Sequence, residues 1–412
     1  MAPRSLATTV ATGGTTAIVV ATAASAVAVY VYEVIAGRAL GATAFAPVGM
    51  IWTIGFLGFT VVLIPVEQFV TRQLVLAGGD ARHLGHAART ILLVAGSVTV
   101  VLAGFVALTR ERFFEGSWAF VGVAALLAID RALLAVGRGF LAGRRRFHAY
   151  GVAIAAEAGA LVALGIVAAL LRPTAVAFSL AMALAPLAVL VTRPFRPSGS
   201  SPVGPEATRV GVVGFLGWFV VANAASQLVL AGGPIFVGLL GGTAAAISVY
   251  FITFTLFRGP MTSSYNLLAR VLPDFTELAR TGAHARLRRW ALLLGLGGLV
   301  LALAFAAGAA VLGPWIVAFL YGAEFAPSRL VAALGAAGVG FGLAGLFVAQ
   351  VFVARGATRR LAAAWLVAVV VAGLTMFVAP GAPIERVAAA FVAGEGAALA
   401  GLVLLAVVGD RR

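Results

Sequence analysis

The chain contains neither cysteine nor lysine, and only 10% of its 412 residues are charged. Without cysteine there is no disulfide framework and no thiol chemistry. Without lysine there is no Walker-type phosphate loop, which excludes an ATP-driven pump. A soluble domain covers its surface with roughly a quarter charged residues, and this sequence has too few to do so. No Ser/His/Asp set and no paired catalytic carboxylates are present, so the chain does not read as an enzyme. His83 and His86 have the i, i+3 spacing of metal ligands but no companions. No metal and no cofactor are therefore expected.

What the sequence has in abundance is apolar length. It is 62% hydrophobic with a mean hydropathy of +1.09. Runs of about 20 apolar residues recur from end to end, the length a helix needs to cross a bilayer. They lack the alternation of barrel strands, so the fold class is an all-α integral membrane protein. About twelve transmembrane helices are expected, near 12–36, 45–70, 90–109, 117–137, 149–171, 174–192, 210–231, 243–268, 290–312, 328–353, 361–379 and 387–408. The apolar segment after Arg4 runs to about Val34. That is too long for a signal-peptide core and reads as a first, uncleaved span.

The net charge of +15 could signal nucleic acid, but orientation explains it better. With the N-terminus in the cytoplasm, 21 of the 29 arginines fall on the inner side and six on the outer. This is the positive-inside pattern. It predicts a multi-pass membrane protein with both termini cytoplasmic and no nucleic-acid partner, and the use of arginine for all 29 basic residues, with the Ala, Gly and Val richness, suggests a bacterial plasma membrane. The last two arginines, Arg131 and Arg258, fall inside spans.

The stretch 193–209, RPFRPSGSSPVGPEATR, is rich in Pro, Ser and Gly and reads as a cytoplasmic linker. It separates a six-helix lobe at 1–192 from a second at 210–412. The halves repeat. Shifted by 201 positions, VVATAAS at 19–25 falls on VVANAAS at 220–226. The same register aligns Gly37 and Gly41 with Gly238 and Gly242, and Phe56 and Gly58 with Phe257 and Gly259. Six spans per copy is an even number, so the repeats are parallel about an axis along the membrane normal. That is a transporter architecture, with a central cavity expected between the lobes.

Arg38-Ala39-Leu40-Gly41-Ala42-Thr43-Ala44-Phe45 resembles the "r-x-LG-x-x-x-fG" stretch that leads into the second helix of bacterial polysaccharide flippases, with Ala46 where that pattern ends in glycine. Arg138-Gly139-Phe140-Leu141-Ala142-Gly143 resembles their "rgll-x-G" turn. Val271-Leu272-Pro273-Asp274-Phe275-Thr276-Glu277-Leu278 resembles the segment leaving their eighth helix, and Phe319-Leu320-Tyr321-Gly322-Ala323-Glu324-Phe325 the stretch before their tenth. The family is the polysaccharide branch of the multidrug, oligosaccharidyl-lipid and polysaccharide exporter (MOP) superfamily. The resemblance implies translocation of undecaprenyl-pyrophosphate-linked oligosaccharide from the inner to the outer leaflet, by alternating access, for cell-surface polysaccharide assembly. It also implies, as partners, the lipid-linked oligosaccharide, membrane lipids, and polymerases or glycosyltransferases of the same pathway. Two alternatives stand beside it. One is a cation-coupled multidrug antiporter of the same superfamily. The other is a major-facilitator solute transporter, whose loop between helices two and three Gly79–Gly85 resembles.

Ionisable groups inside spans are expensive and usually functional. Arginine suits a phosphate because it stays charged and presents a planar fork of donors. Arg131 and Arg258 are the candidate phosphate ligands, with Asp130 orienting Arg131. Asn223 and Gln227, one helical turn apart, are candidates for sugar hydroxyls. Glu157 is expected to neutralise Arg131 or to carry a coupling ion. Arg138, Arg144, Arg145 and Arg146 are expected to meet anionic headgroups at the inner mouth. Glu33 and Glu67 fall near span ends, where interface solvation is expected, and Glu395 reads as structural. Gly340–Gly345 fits G-x-G-x-x-G but lies in an apolar span, where close helix packing is the reading.

Overall fold

The computed structural model describes residues 4–76, 85–196 and 212–408, and no strand occurs among them. The helices are α1 (Arg4–Gly58), α2 (Ile64–Leu76), α3 (Gly85–Phe113), α4 (Ala119–Gly143), α5 (Phe147–Leu171), α6 (Ala175–Leu184), α7 (Val212–Ala231), α8 (Gly233–Leu239), α9 (Ala244–Phe257), α10 (Gly259–Arg280), α11 (His284–Tyr321), α12 (Arg329–Ala354), α13 (Thr358–Val378) and α14 (Pro383–Val408). A π turn, Phe59–Leu63, joins α1 to α2, and a 3₁₀ stretch, Ala185–Thr192, follows α6.

Among the described residues, ten elements are long and apolar enough to cross a membrane, or eleven if the bent pair α7–α8 is one span. The expected spans 12–36 and 45–70 correspond to two helical arms of α1 that meet at a kink at Gly41, the second arm continuing through the π turn into α2. Gly41 itself has φ 74° and ψ 168°, a conformation that side chains disfavour and glycine tolerates. In a straight helix Tyr32 and Trp52 would lie about 30 Å apart. Their rings instead stack with centroids 6.2 Å apart, so α1 folds back on itself between them.

The chain divides into two compact units, Met1–Leu40 with Met50–Arg209, and Gly41–Gly49 with Val210–Arg412. The short piece at the fold-back thus groups with the second unit, although its position in the sequence put it in the first lobe. Most of the linker, 197–209, lies outside the described residues, as do 77–84 and the loop glycines there.

Within the first unit, α4 packs on α2 through Gly139 and Gly143, one turn apart. A Cβ on Gly139 would meet Val70 at 2.8 Å and the Glu67 carbonyl at 2.9 Å; one on Gly143 would meet Leu74 at 2.7 Å. Small residues at this spacing let helix backbones approach, which is how helices associate where lipid removes the hydrophobic driving force. Leu63, Val66, Val70 and Leu74 close the seam against Ala132 and Ala135. Tyr32 ties the first arm of α1 to α6, its hydroxyl donating to the Phe178 carbonyl at 2.7 Å.

Within the second unit, Gly340 sits against the backbone of Ala302 on α11, where a Cβ would come within 2.6 Å. The glycine-rich motif of α12 is therefore a packing surface. Phe45 lies between Phe251 and Phe325, each at 5.9 Å. Helices α7 and α8 meet at 61°. The break is written in the sequence: Pro234 has no N–H, so the carbonyl of Leu230, four residues earlier, loses its helical donor. Leu92, Leu93, Val100, Val101 and Leu108 on α3 are exposed, as side chains facing lipid should be.

Candidate functional site

The first unit encloses a cavity of about 280 Å³ between α1, α4, α5 and α6. Trp52, Phe56, Phe59, Leu127 and Met182 form apolar walls, and Arg131, Arg138 and Glu157 supply the charge. Arg131 lies midway along α4, and its Nη1 donates to Glu157 Oε1 of α5 at 2.8 Å. Its guanidinium also lies over the Phe59 ring at 5.2 Å, so the π turn positions one wall of the site. π turns of this kind recur at functional sites.

Arg138 is seven residues further along α4, so it shares a face with Arg131 about 10 Å away along the axis. Its Nη2 donates to the Tyr150 hydroxyl at 2.7 Å, and that hydroxyl donates to Glu67 Oε1 at 2.6 Å. Arg138 Nε is 3.3 Å from Glu67 Oε2, within ion-pair distance but not aligned as a hydrogen bond. All four charged side chains are 20% exposed or less. The site therefore holds two cations and two anions, with each arginine offering part of its donor fork to the cavity.

The structure distributes the expected site residues as follows. Arg131 and Glu157 are brought together as an ion pair. Arg138 belongs to the same cavity rather than to the headgroup face, because Tyr150 and Glu67 hold it inward. Asp130 does not join them; it is buried on another side of α4, and its Oδ2 has no hydrogen-bond partner. Arg144 and Arg146 are occupied differently from the headgroup role expected of them. Arg144 donates to the Pro194 and Arg196 carbonyls and Arg146 to those of Thr192 and Arg193. They fasten the α4–α5 turn to the end of the 3₁₀ stretch, while Arg145 is exposed.

Arg258 belongs to the second unit and does not contribute to this cavity. It sits at the C-terminal end of α9, donating to the carbonyls of Phe254 and Leu230 at 3.1 and 3.0 Å and to Thr255 Oγ1 at 3.1 Å. Gln227 is buried with its Oε1 lacking a hydrogen-bond partner, and Asn223, one turn away, is half-buried. An apolar crevice of about 440 Å³ in the same unit is lined by Phe236, Tyr250, Met376 and Phe391, among others. It suits a hydrocarbon chain better than a sugar. His83 and the side chain of His86 lie outside the described residues.

Glu67 and Tyr150 were missed from sequence. Glu67 is far from the span end in effect, because α2 continues to Leu76. An acidic residue level with an arginine of a neighbouring span was the available signal. Glu33, expected at an interface, is fully buried.

No family model matches the chain. An uncharacterized protein of Mycobacterium bovis is 29% identical over 384 residues, covering 89% of this chain and 86% of that protein. An uncharacterized protein of Mycobacterium tuberculosis is equally similar over the same span. Among solved structures, the inward-facing form of a multidrug resistance MATE family transporter of the MOP superfamily matches with TM-score 0.70 at 13% identity, covering 91% of this chain and 93% of that one. A MOP superfamily transporter from Pyrococcus furiosus, described by a binding pocket of reverse polarity that suggests a different function, matches with TM-score 0.60 at 12% identity, covering 95% and 94%. The chain has the all-α fold of MOP superfamily membrane transporters. These neighbours are transporters, not enzymes.

Proposed function

We propose that this protein is a flippase for a polyprenyl-pyrophosphate-linked oligosaccharide, moving it from the inner to the outer leaflet by alternating access for cell-surface polysaccharide assembly. The observation that carries the reading is the pair of arginines on one face of α4, Arg131 and Arg138, each balanced by a carboxylate inside a cavity with aromatic and aliphatic walls. At rest the charges cancel, which a membrane-embedded site requires. An entering pyrophosphate replaces Glu157 and Glu67 as counter-ion, because the guanidinium fork matches phosphate oxygens better than a single carboxylate does. The resemblance of the helix-end motifs to polysaccharide flippases points the same way.

A second reading, cation-coupled drug export, draws on the likeness in fold to multidrug transporters and on Glu157 and Glu67 in the same cavity. The reverse polarity described for the Pyrococcus furiosus pocket supports treating cavity charge as variable within this fold.

The test is leaflet accessibility of the lipid-linked glycan in cells depleted of the protein. Rescue is attempted with wild type and with the double variant Arg131→Gln/Glu157→Gln, which removes the pair without stranding a charge. Accumulation on the inner leaflet, relieved by wild type alone, is expected. An unchanged leaflet distribution on depletion overturns the flippase reading and leaves drug export in the lead.

A further inference from the structure

The second unit carries a carboxyl group that the cavity of the first does not use. Glu395 lies near the middle of α14, is 1% exposed, and neither carboxylate oxygen has a hydrogen-bond partner. Space for it is made by Gly342 of α12, where a Cβ would stand 2.9 Å from Glu395 Oε2; Met261 Sδ of α10 borders the same spot. At the adjacent Gly394 the neighbours are Val229 of α7 and Ala368 and Ala372 of α13. An ionised carboxylate without donors, at mid-membrane depth, is among the most expensive groups a protein can hold. The surroundings described fit the neutral acid.

Arg258, at the end of α9, lies three residues before Met261, whose sulfur borders the same spot as Glu395, and it donates to the carbonyl of Phe254, whose ring packs on Phe391 one turn before Glu395. Tyr250 of α9 is stacked on the same Phe254 ring. Helices α7 and α8 contribute no titratable residue among those described. Those of α12 and α13 are confined to their first turns, at Arg329 and at Arg359 and Arg360. On α11, His284, Arg286, Arg288 and Arg289 occupy the first two turns and Tyr321 the last; on α10 the described titratable side chains, Asp274, Glu277 and Arg280, lie in its last two turns; and on α14 itself Glu385 and Arg386 lie in the first.

Arg258 is itself committed to the break between α7 and α8. It donates at 3.0 Å to the Leu230 carbonyl, the acceptor that Pro234 leaves without a helical N–H. One cation therefore caps a broken helix and stands three residues from Met261, which borders the buried acid.

We propose that Glu395 is a proton-exchange site: when it releases its proton to water, the carboxylate draws Arg258 from the Leu230 carbonyl, and the α7–α8 break changes angle. Re-protonation returns Arg258 to its cap. The inference concerns coupling within the second unit and does not depend on what the first unit's cavity carries.

The absence of cysteine makes the test direct. Val221 and Leu239, on either side of the break, are both exposed, so Val221→Cys/Leu239→Cys gives one spin-label pair on the full chain in lipid nanodiscs. Infrared difference spectra are recorded in parallel, without cargo. Wild type is expected to show a protonated carboxyl C=O band that disappears on raising the pH, with a change in label distance at the same pH. Glu395→Gln, nearly isosteric, should lack both the band's titration and the distance change. Arg258→Gln should keep the band, move its titration to higher pH, and lose the distance change. A band that is missing in wild type, survives in Glu395→Gln, or never titrates overturns the proton site. A wild-type label distance that ignores pH overturns its link to the break. None of these readouts involves glycan transport, so this inference and the flippase reading fail separately.

Discussion

The charged cavity of the first unit and the buried acid of the second hold charge in opposite ways. In the first, every charged side chain in the cavity has a partner within 3.3 Å: Arg131 with Glu157, and Arg138 with Glu67 and Tyr150. In the second, Glu395 has no hydrogen-bond partner, and Arg258 donates to main-chain carbonyls and a threonine. Short stretches of the two halves match in a 201-residue register, yet the charged cavity at Arg131 and Arg138 is balanced while Glu395 is unsatisfied. A balanced site is suited to exchanging counter-ions with an incoming ligand. An unsatisfied acid is suited to gaining and losing a proton.

The comparison breaks most readily at Glu67. Glu67→Ala strands Arg138 in a site where it is only 19% exposed, and loss of one member of a buried pair costs about 3 kcal/mol or more. The double variant Glu67→Ala/Arg138→Met should recover most of that loss, since no charge is then left alone. Glu395→Met should do the reverse in the second unit, leaving thermal stability equal or higher, because the group removed has no bond to lose. Thermal unfolding of the three variants in detergent decides the matter. A destabilised Glu395→Met would mean the acid has a structural partner after all.

Much of this was legible in the sequence, for identifiable reasons. Arg131 and Glu157 could be matched because charges in mid-span must find each other. The glycines of α12 could be read as packing because no strand precedes them. The hinge at Gly41 lies where the 201-residue register pairs it with Gly242, beside Gly241, which also has a positive φ in the turn between α8 and α9. What stayed hidden were tertiary choices. Nothing in residues 41–49 announces that they group with the second unit. Arg258 looked like a phosphate ligand, although Pro234 lies four residues after Leu230 and left an acceptor for it. Arg144 and Arg146 carried the positive-inside signal equally well whether free or fastened to carbonyls, so composition could not tell those states apart.

Packing sharpens the contrast at the next level of magnitude. Gly139→Val forces a side chain into Val70 and the Glu67 carbonyl, both within 3 Å of its Cβ, and overpacking of this kind costs about 1–3 kcal/mol. It should also push α2 away from α4 and loosen the Arg138–Glu67 pair. Gly345→Val on α12, where a Cβ meets nothing within 4 Å, should cost much less. Similar unfolding temperatures for the two variants would show that α2 and α4 do not hold the first unit's site in place.

The smallest effect is expected at the pair with equally short hydrogen bonds. Arg280 Nη2 donates to Glu277 Oε1 at 2.6 Å, closer than Arg131 comes to Glu157, yet both ends of the exposed pair are more than half accessible to water. Water already solvates each charge, and holding two long side chains together costs entropy, so such pairs add little. The hydrogen bonds from Arg280 hold the Glu277 carboxyl below its ordinary range. The sign follows: any stability from the pair is present above the ordinary carboxylate range and is lost as pH falls through the lowered value. Arg280→Ala should return the Glu277 titration, followed by carboxyl NMR, to its usual position without moving the unfolding temperature at neutral pH. A clear drop in that temperature would mean that short distance alone sets the strength of these pairs. The cavity of the first unit would then owe nothing to its burial.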